Sequence, residues 1–157
     1  MTALFFLAGI GGNLMSIVVR PDEPTVGASP AIFGLLAGLM SLIIVNWVAL
    51  SGPGASTLRC CLIFMIIIIF VILLLMNVSS NSYEIIHQAN TFGNMGGFFT
   101  GVFAGMFLVP TVRANARLPG SYEGIVKKIG LGCTFAWYFI FLMVFYLSTT
   151  THTAIVA

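Results

Sequence analysis

The stretch Cys60–Val78, CCLIFMIIIIFVILLLMNV, decides the class of fold. It contains no charged residue, and its length suits a helix that crosses the roughly 30 Å hydrocarbon core of a bilayer. Backbone N–H and C=O groups inside lipid must form hydrogen bonds within their own segment. We therefore interpret the stretch as a transmembrane helix, and we expect further apolar segments on both sides of it.

Four more apolar runs flank this stretch, with short breaks that are polar or contain Pro and Gly. The five predicted helices are Thr2–Val19, Ala31–Leu50, Cys60–Val78, Phe92–Val112 and Ile129–Leu147. Each is long enough to span a bilayer, and the breaks leave no room for a soluble domain. The sequence thus predicts an all-α polytopic membrane protein of about five transmembrane helices, with a single domain over residues 1–157.

The composition supports this class and excludes others. Of 157 residues, 59% are hydrophobic and only 6% are charged, whereas soluble domains carry about 25% charged residues. A chain with so few charges offers no surface for nucleic acid. The cysteines Cys60, Cys61 and Cys133 have neither a disulfide framework nor metal-ligand spacing. We interpret them as small apolar helix residues, and we predict no cofactor and no metal.

Basic residues predict the orientation in the membrane. If the N-terminus lies on side A, then side B carries Arg20 alone. Side A carries Arg59, Arg113, Arg117, Lys127 and Lys128. The positive-inside rule puts side A in the cytoplasm, or in the matrix if the membrane is mitochondrial. The sequence leaves open whether the membrane is the mitochondrial inner membrane or an endomembrane.

Two predicted helices carry stripes of small residues, which let helix backbones approach closely in lipid. The second helix has Ala31, Gly34 and Gly38 on one face. The fourth has a glycine every four residues, at Gly93, Gly97, Gly101 and Gly105. We expect these two helices to pack against each other, or each against a third helix.

Polar residues lie at one end of the same two helices. Ser29 precedes the second helix, with Pro30 suited to its first turn, and Asn94 opens the fourth helix. The predicted topology puts both on side B, the non-cytoplasmic or non-matrix face. Packing of the two helices is expected to hold Ser29 and Asn94 near one another, at shallow depth.

Three motifs around these residues resemble the rhomboid family of intramembrane serine proteases. They are FLAGIGGNL at residues 6–14, VGASPAIFGLL at residues 26–36, which continues to Asn46 and Trp47, and FGNMGGFFTG at residues 92–101. The resemblance implies a rhomboid-like helical bundle in which Ser29 holds the nucleophile position. The family's histidine is expected in the third motif, as His-x-Gly-Gly-x-x-x-Gly.

Asn94 departs from that motif at the position that matters most for catalysis. A rhomboid works by a Ser–His dyad in which the imidazole takes the proton of the serine hydroxyl. A carboxamide does not titrate near neutral pH and cannot be that base. Loss of the base of a serine protease lowers turnover on the order of 10⁶-fold. The resemblance therefore implies an inactive rhomboid-like pseudoprotease in which Ser29 is vestigial.

The resemblance also aligns the start of the chain with the family's third helix. We therefore expect an N-terminally truncated member, without the helix that supplies side-chain donors to the family's oxyanion hole. Each such donor contributes roughly 3–4 kcal/mol to catalysis. The sequence leaves open whether Met1 is the native start.

Three functions follow from these observations. The leading one is a non-catalytic membrane subunit or scaffold that packs against lipid and against other integral membrane proteins in a larger complex. The second is an active protease that uses Ser29 with an unusual base, such as His87 or His152, or with a base from a partner. The third is a small transporter or channel subunit, which the absence of charged residues from all five runs disfavours.

Overall fold

The computed structural model describes residues 1–21, 27–47, 54–79, 91–110 and 121–156. These ranges hold five helices and no strand. The helices are α1 (Thr2–Val19), α2 (Ser29–Val45), α3 (Ala55–Ser79), α4 (Thr91–Leu108) and α5 (Ser121–Val156). The predicted all-α class with five helices is confirmed.

The ends of α2 differ from the prediction for local reasons. The helix begins at Ser29 instead of Ala31, with Ala28 as its N-cap. Pro30 is tolerated in the first turn because a helix needs no N–H there. The helix ends at Val45 instead of Leu50, and the Asn46 side-chain amide donates a hydrogen bond to the Leu42 carbonyl oxygen at 2.9 Å. Asn side chains that bond nearby backbone groups in this way favour helix ends over helix interiors.

In α3, α4 and α5, hydropathy located the helix but not its ends. Helix α4 ends at Leu108 instead of Val112, because the residue before Pro110 is disfavoured in a helical conformation. Helices α3 and α5 extend beyond their apolar runs, since polar residues at a membrane surface continue a helix as readily as apolar ones. With a rise of about 1.5 Å per residue, α5 is about 54 Å long, well over the hydrocarbon thickness.

Helices α1, α2 and α4 form the packed unit of the bundle. The interface between α2 and α4 is the most extensive, and both helices also pack on α1. Both arrangements considered for the small-residue stripes thus occur together. The buried small residues of α2 and α4 include Ala31, Gly34, Gly38, Gly93, Gly97, Gly101 and Gly105.

Glycine is required where α2 and α4 cross. A Cβ atom built on Gly97 would overlap the Pro30 carbonyl oxygen, and one built on Gly101 would overlap the Gly34 carbonyl oxygen. These are backbone atoms in regular helices, so no side-chain rotation could relieve the overlap. The two helices therefore lie backbone to backbone along this line.

Helices α3 and α5 pack on the outside of that unit. Gly130 of α5 lies against Met106 and Phe103 of α4, and the Tyr138 hydroxyl of α5 donates to the Leu7 carbonyl oxygen of α1 at 2.6 Å. By length and composition, two helical segments of the described residues could cross a membrane, Thr2–Val19 and Tyr122–Ser148. The apolar segments Ser29–Val45 and Arg59–Val71 are shorter.

Candidate functional site

The candidate site lies where α2 and α4 begin and α1 approaches its end. Gly12 of α1 lies between α2 and α4, and we call it the wedge point. A Cβ built on it would lie 2.5 Å from the Gly93 carbonyl oxygen, 2.5 Å from the Pro30 Cβ and 2.9 Å from the Gly97 nitrogen. The backbones of three helices therefore converge at this glycine. We name this region, defined by Gly12, Pro30, Gly93 and Gly97, the three-helix wedge.

Gly12 was not predicted as a packing residue. The signal was present, because Ala8, Gly12 and Ser16 recur every four residues along α1, and all three are buried. The glycines of this helix looked like interruptions of an apolar run. In a membrane protein, small residues at helical spacing indicate a close-packed helix face as readily as a weakly hydrophobic segment.

Ser29 lies at the edge of the three-helix wedge. It is the first residue of α2 and is half-buried, whereas its neighbour Pro30 is fully buried. The first turn of a helix leaves backbone N–H groups without intrahelical partners. Ser29 therefore presents a hydroxyl beside potential backbone donors, at a point that solvent or a bound molecule reaches.

Asn94 lies inside the same end of the bundle. It is in the first turns of α4, next to Gly93, and is only 2% exposed. Its side-chain oxygen, Oδ1, is buried and has no hydrogen-bond partner. The Ser29 hydroxyl therefore does not donate to Asn94 Oδ1, although both residues lie at one end of two helices in contact. A buried carbonyl left unpaired costs about 1–3 kcal/mol.

The side chains of Ser29 and Asn94 can form hydrogen bonds with a bound molecule. Among the described residues of this site, no side chain can act as the base for Ser29. A carboxamide accepts and donates hydrogen bonds without gaining a proton near neutral pH. At the same end, the Arg20 guanidinium carbon lies 5.4 Å from the centre of the Phe92 ring. Within the described ranges, His, Cys, Asp and Glu form no group of three or more that could hold a metal ion.

The two histidines considered as replacement bases are not in this part of the described structure. His87 lies outside the described residues, as do Arg113 and Arg117. His152 lies in the last turns of α5. Neither histidine therefore adds a described group to the three-helix wedge.

Two hydroxyls of the packed helices bond to backbone carbonyls, one within α4 and one between α2 and α4. Thr100 of α4 is buried beside Gly11 of α1, and its hydroxyl donates to the Gly96 carbonyl oxygen at 2.7 Å. The Ser41 hydroxyl of α2 lies 2.8 Å from the Val102 carbonyl oxygen of α4. Hydroxyls that bond backbone carbonyls satisfy their own polarity and so remain inside an apolar bundle.

Comparison with known proteins identifies the family of this bundle. The sequence profile of the Rhomboid domain matches residues 1–111. The chain belongs to the rhomboid family. Family membership and the apolar helices together make this rhomboid an integral membrane protein.

Curated relatives cover the same region. RHOMBOID-like protein 1 of Arabidopsis thaliana is 33% identical over 107 residues, which is 68% of this chain and 24% of the relative. Rhomboid-like protease 5 of Toxoplasma gondii is 25% identical over 137 residues, 87% of this chain and 14% of the relative. Inactive rhomboid protein 1 of Danio rerio is 26% identical over 114 residues, 71% of this chain and 12% of the relative.

Each match covers only part of the length of the relative. The aligned stretch spans about a quarter of the Arabidopsis protein and less of the other two. No solved structure matches this rhomboid chain. The relatives include one named a protease and one named inactive, so the family alone does not decide between the two functions. The expected truncation also stays a prediction.

Proposed function

We propose that this rhomboid-family chain is a pseudoprotease, a non-catalytic membrane subunit that binds other integral membrane proteins. The observation that carries the proposal is Asn94, which matches the histidine position of the family motif and is 2% exposed. A buried carboxamide cannot take the proton of Ser29. Without that transfer, the hydroxyl remains an ordinary alcohol.

The packing around Asn94 supports the same conclusion. The three-helix wedge brings Gly12, Pro30, Gly93 and Gly97 together at backbone distance. None of these residues has a titratable side chain, and their close approach leaves little space for a side chain from elsewhere to reach Asn94. Substitution at the histidine position is therefore not compensated by the residues next to it.

A binding role is supported by the outer surface of α5. Helix α5 exposes Gly132, and nothing lies within 4 Å of a Cβ built there. Exposed Ala136 is four residues away, and Phe135 and Phe139 beside them are 69% and 66% exposed. Small residues between large ones on an exposed membrane helix suit close approach by a helix of another protein.

The alternative function is an active protease that uses Ser29 with a base from a partner or from an unusual position. One observation favours it: Ser29 is half-buried at the start of α2 rather than sealed inside the bundle. The third function, a transporter or channel, assumed that the rhomboid resemblance was accidental. Family membership removes that assumption.

Activity-based labelling of the full chain in its own membrane tests the absence of catalysis. A serine-reactive fluorophosphonate probe is expected to label the wild-type chain no more than the Ser29→Ala control. Labelling that depends on Ser29 would overturn the pseudoprotease proposal and favour the active protease. An active rhomboid added to the same membranes shows that the probe works under these conditions.

Co-purification tests the binding role separately. After extraction in mild detergent, the tagged chain is expected to migrate on native gels in a defined complex, with partners at fixed stoichiometry by mass spectrometry. Migration of the chain alone as a stable species would reject the subunit proposal, even if Ser29 proved unreactive.

A further inference from the structure

A cluster of polar contacts lies at the end of the bundle opposite the three-helix wedge. We name it the polar lock and define it by Arg59, Trp47, Tyr122 and the Ile44 carbonyl. Arg59 of α3 is 8% exposed, and its Nη1 donates to the Trp47 carbonyl oxygen at 2.8 Å. The guanidinium carbon also lies 4.4 Å from the centre of the Trp47 ring. Tyr122 of α5 donates through its hydroxyl to the Ile44 carbonyl oxygen at 3.4 Å. A cation beside the C-terminal end of a helix complements the helix dipole, and Arg59 lies at that end of α2.

The polar lock lies where the apolar run of α3 begins, with Arg59 directly before Cys60. Trp47 and Tyr122 are 42% and 40% exposed, and aromatic residues with a polar edge are enriched at the boundary between lipid and water. One turn after Tyr122 in α5, Lys127 pairs with Glu123 at 3.7 Å. The apolar run of α5 begins after this pair, at Ile129, and that of α3 begins at Cys60.

Cys60 and Cys61 follow Arg59 directly, and both are exposed. At a rise of about 1.5 Å per residue, they lie within about 3 Å of Arg59 along the axis of α3. Cys61 shares a helix face with Phe64 and Met65, which lie deeper and are 64% and 54% exposed. Both are helix residues, as expected, and the structure adds that neither is covered by another helix of this chain.

We propose that Cys60 and Cys61 are sites of reversible S-acylation by a long-chain fatty acid. The cysteine sulfur attacks the carbonyl carbon of a long-chain acyl-coenzyme A and forms a thioester. The bond from that carbon to the coenzyme A sulfur breaks, and coenzyme A leaves as the thiol with the proton that the cysteine lost. Exposed thiols beside a membrane surface suit this modification, and the attached chain would lie along the exposed face of Phe64 and Met65.

The proposal uses the predicted orientation, in which side A faces the cytoplasm, where acyl-coenzyme A is available. Five of the six basic residues lie on that side by sequence, Arg59 among them. Acylation would fix the start of α3 to the bilayer at the level of the polar lock.

Metabolic labelling tests the proposal on the full chain. Eukaryotic cells that express the tagged protein are fed an alkynyl long-chain fatty acid, and the label on the purified chain is measured before and after hydroxylamine. The wild type is expected to carry label that hydroxylamine removes. The double variant Cys60→Ser with Cys61→Ser is expected to lose it, while the matched control Cys133→Ser, at a half-buried position in α5, keeps it.

Either of two labelling results would overturn the proposal. One is an unlabelled wild-type chain when other membrane proteins of the same cells are labelled. The other is label that survives in the double variant. Unchanged migration of that variant on native gels guards against misfolding, and Cys60→Ala with Cys61→Ala provides a second variant pair. In sealed vesicles of known orientation, reaction of the freed thiols with an impermeant maleimide only from the lumenal side would also reject it.

Discussion

Two parts of this rhomboid are both apolar but are packed differently. In the unit formed by α1, α2 and α4, glycines lie against backbone atoms of neighbouring helices. Helix α5 approaches the α4 backbone at Gly130, but α3 and α5 otherwise contact the unit through large side chains, such as Phe70 against Phe33 and Trp137 against Phe103. In lipid, apolar surface alone does not drive helices together. Residue size, not hydrophobicity, therefore separates the packed unit from its periphery.

Buried polar groups with and without hydrogen-bond partners occur in both parts. The Ser41 and Thr100 hydroxyls, inside the packed unit, bond to backbone carbonyls. At the periphery, the indole nitrogen of Trp137 is buried without a hydrogen-bond partner. Its ring lies among Phe99, Phe103 and Phe141. Because Asn94 Oδ1 in the packed unit is also buried without a partner, hydrogen bonding does not separate the two parts; close backbone approach does.

The largest expected effect tests the close approach of α2 and α4. Gly101→Ala puts a methyl group against the Gly34 backbone. Because overpacking of this kind is not relieved by side-chain rotation, we expect the free energy of unfolding to fall by about 3 kcal/mol. Thermal unfolding of the purified protein in mild detergent measures the change.

Gly132→Ala in α5 is the matched control, because nothing lies within 4 Å of a Cβ built there. Alanine favours a helix over glycine, so this variant is expected to unfold at the same temperature as the wild type or slightly higher. Equal destabilisation by the two substitutions would contradict the division into a packed unit and a periphery.

A smaller effect is expected where α3 is attached. Arg59→Ala removes the hydrogen bond to the Trp47 carbonyl oxygen and the stacking on its ring. A hydrogen bond from a charged group contributes about 1.5 kcal/mol at the low end, which suits a site beside solvated headgroups. Urea unfolding in mixed micelles measures the loss, with exposed Lys128→Ala as the control. An unchanged unfolding midpoint for Arg59→Ala would mean that the lock does not hold α3.

The smallest effect concerns the polar tie between α5 and α1. Tyr138→Phe removes only the hydroxyl that bonds the Leu7 carbonyl oxygen. Hydrogen bonds between membrane helices contribute about 0.6 kcal/mol on average, so a small drop in the thermal unfolding temperature is expected. A drop as large as that of Gly101→Ala would place α5 within the packed unit instead of outside it.

Sequence patterns predicted the helices well and their ends less well. Apolar length located the centres of all five helices, because lipid requires internally bonded backbones. The ends depended on single residues: Asn46 and Pro110 shorten α2 and α4, while Ser56 and Thr57 continue α3 outward. Such residues are neutral to hydropathy and act through local backbone bonding.

The candidate site was predicted as a set of motifs, and its geometry was not predictable from them. Ser29 and Asn94 were identified from motif spacing, and their roles stay predictions. The unpaired Asn94 oxygen, the Gly12 wedge point and the lock between Arg59 and Trp47 depend on which faces of separate helices meet. No local pattern in a single sequence indicates which helix faces come into contact.

By itself, the sequence determined that this protein is a helical membrane protein with rhomboid motifs, since length, apolarity and motif spacing are local properties of the chain. The tertiary structure decided which small residues bring backbones together, which polar atoms find partners, and which cysteines are exposed. Those outcomes depend on contacts between helices distant in sequence, and in lipid they are set by shape and hydrogen bonding rather than by hydrophobicity.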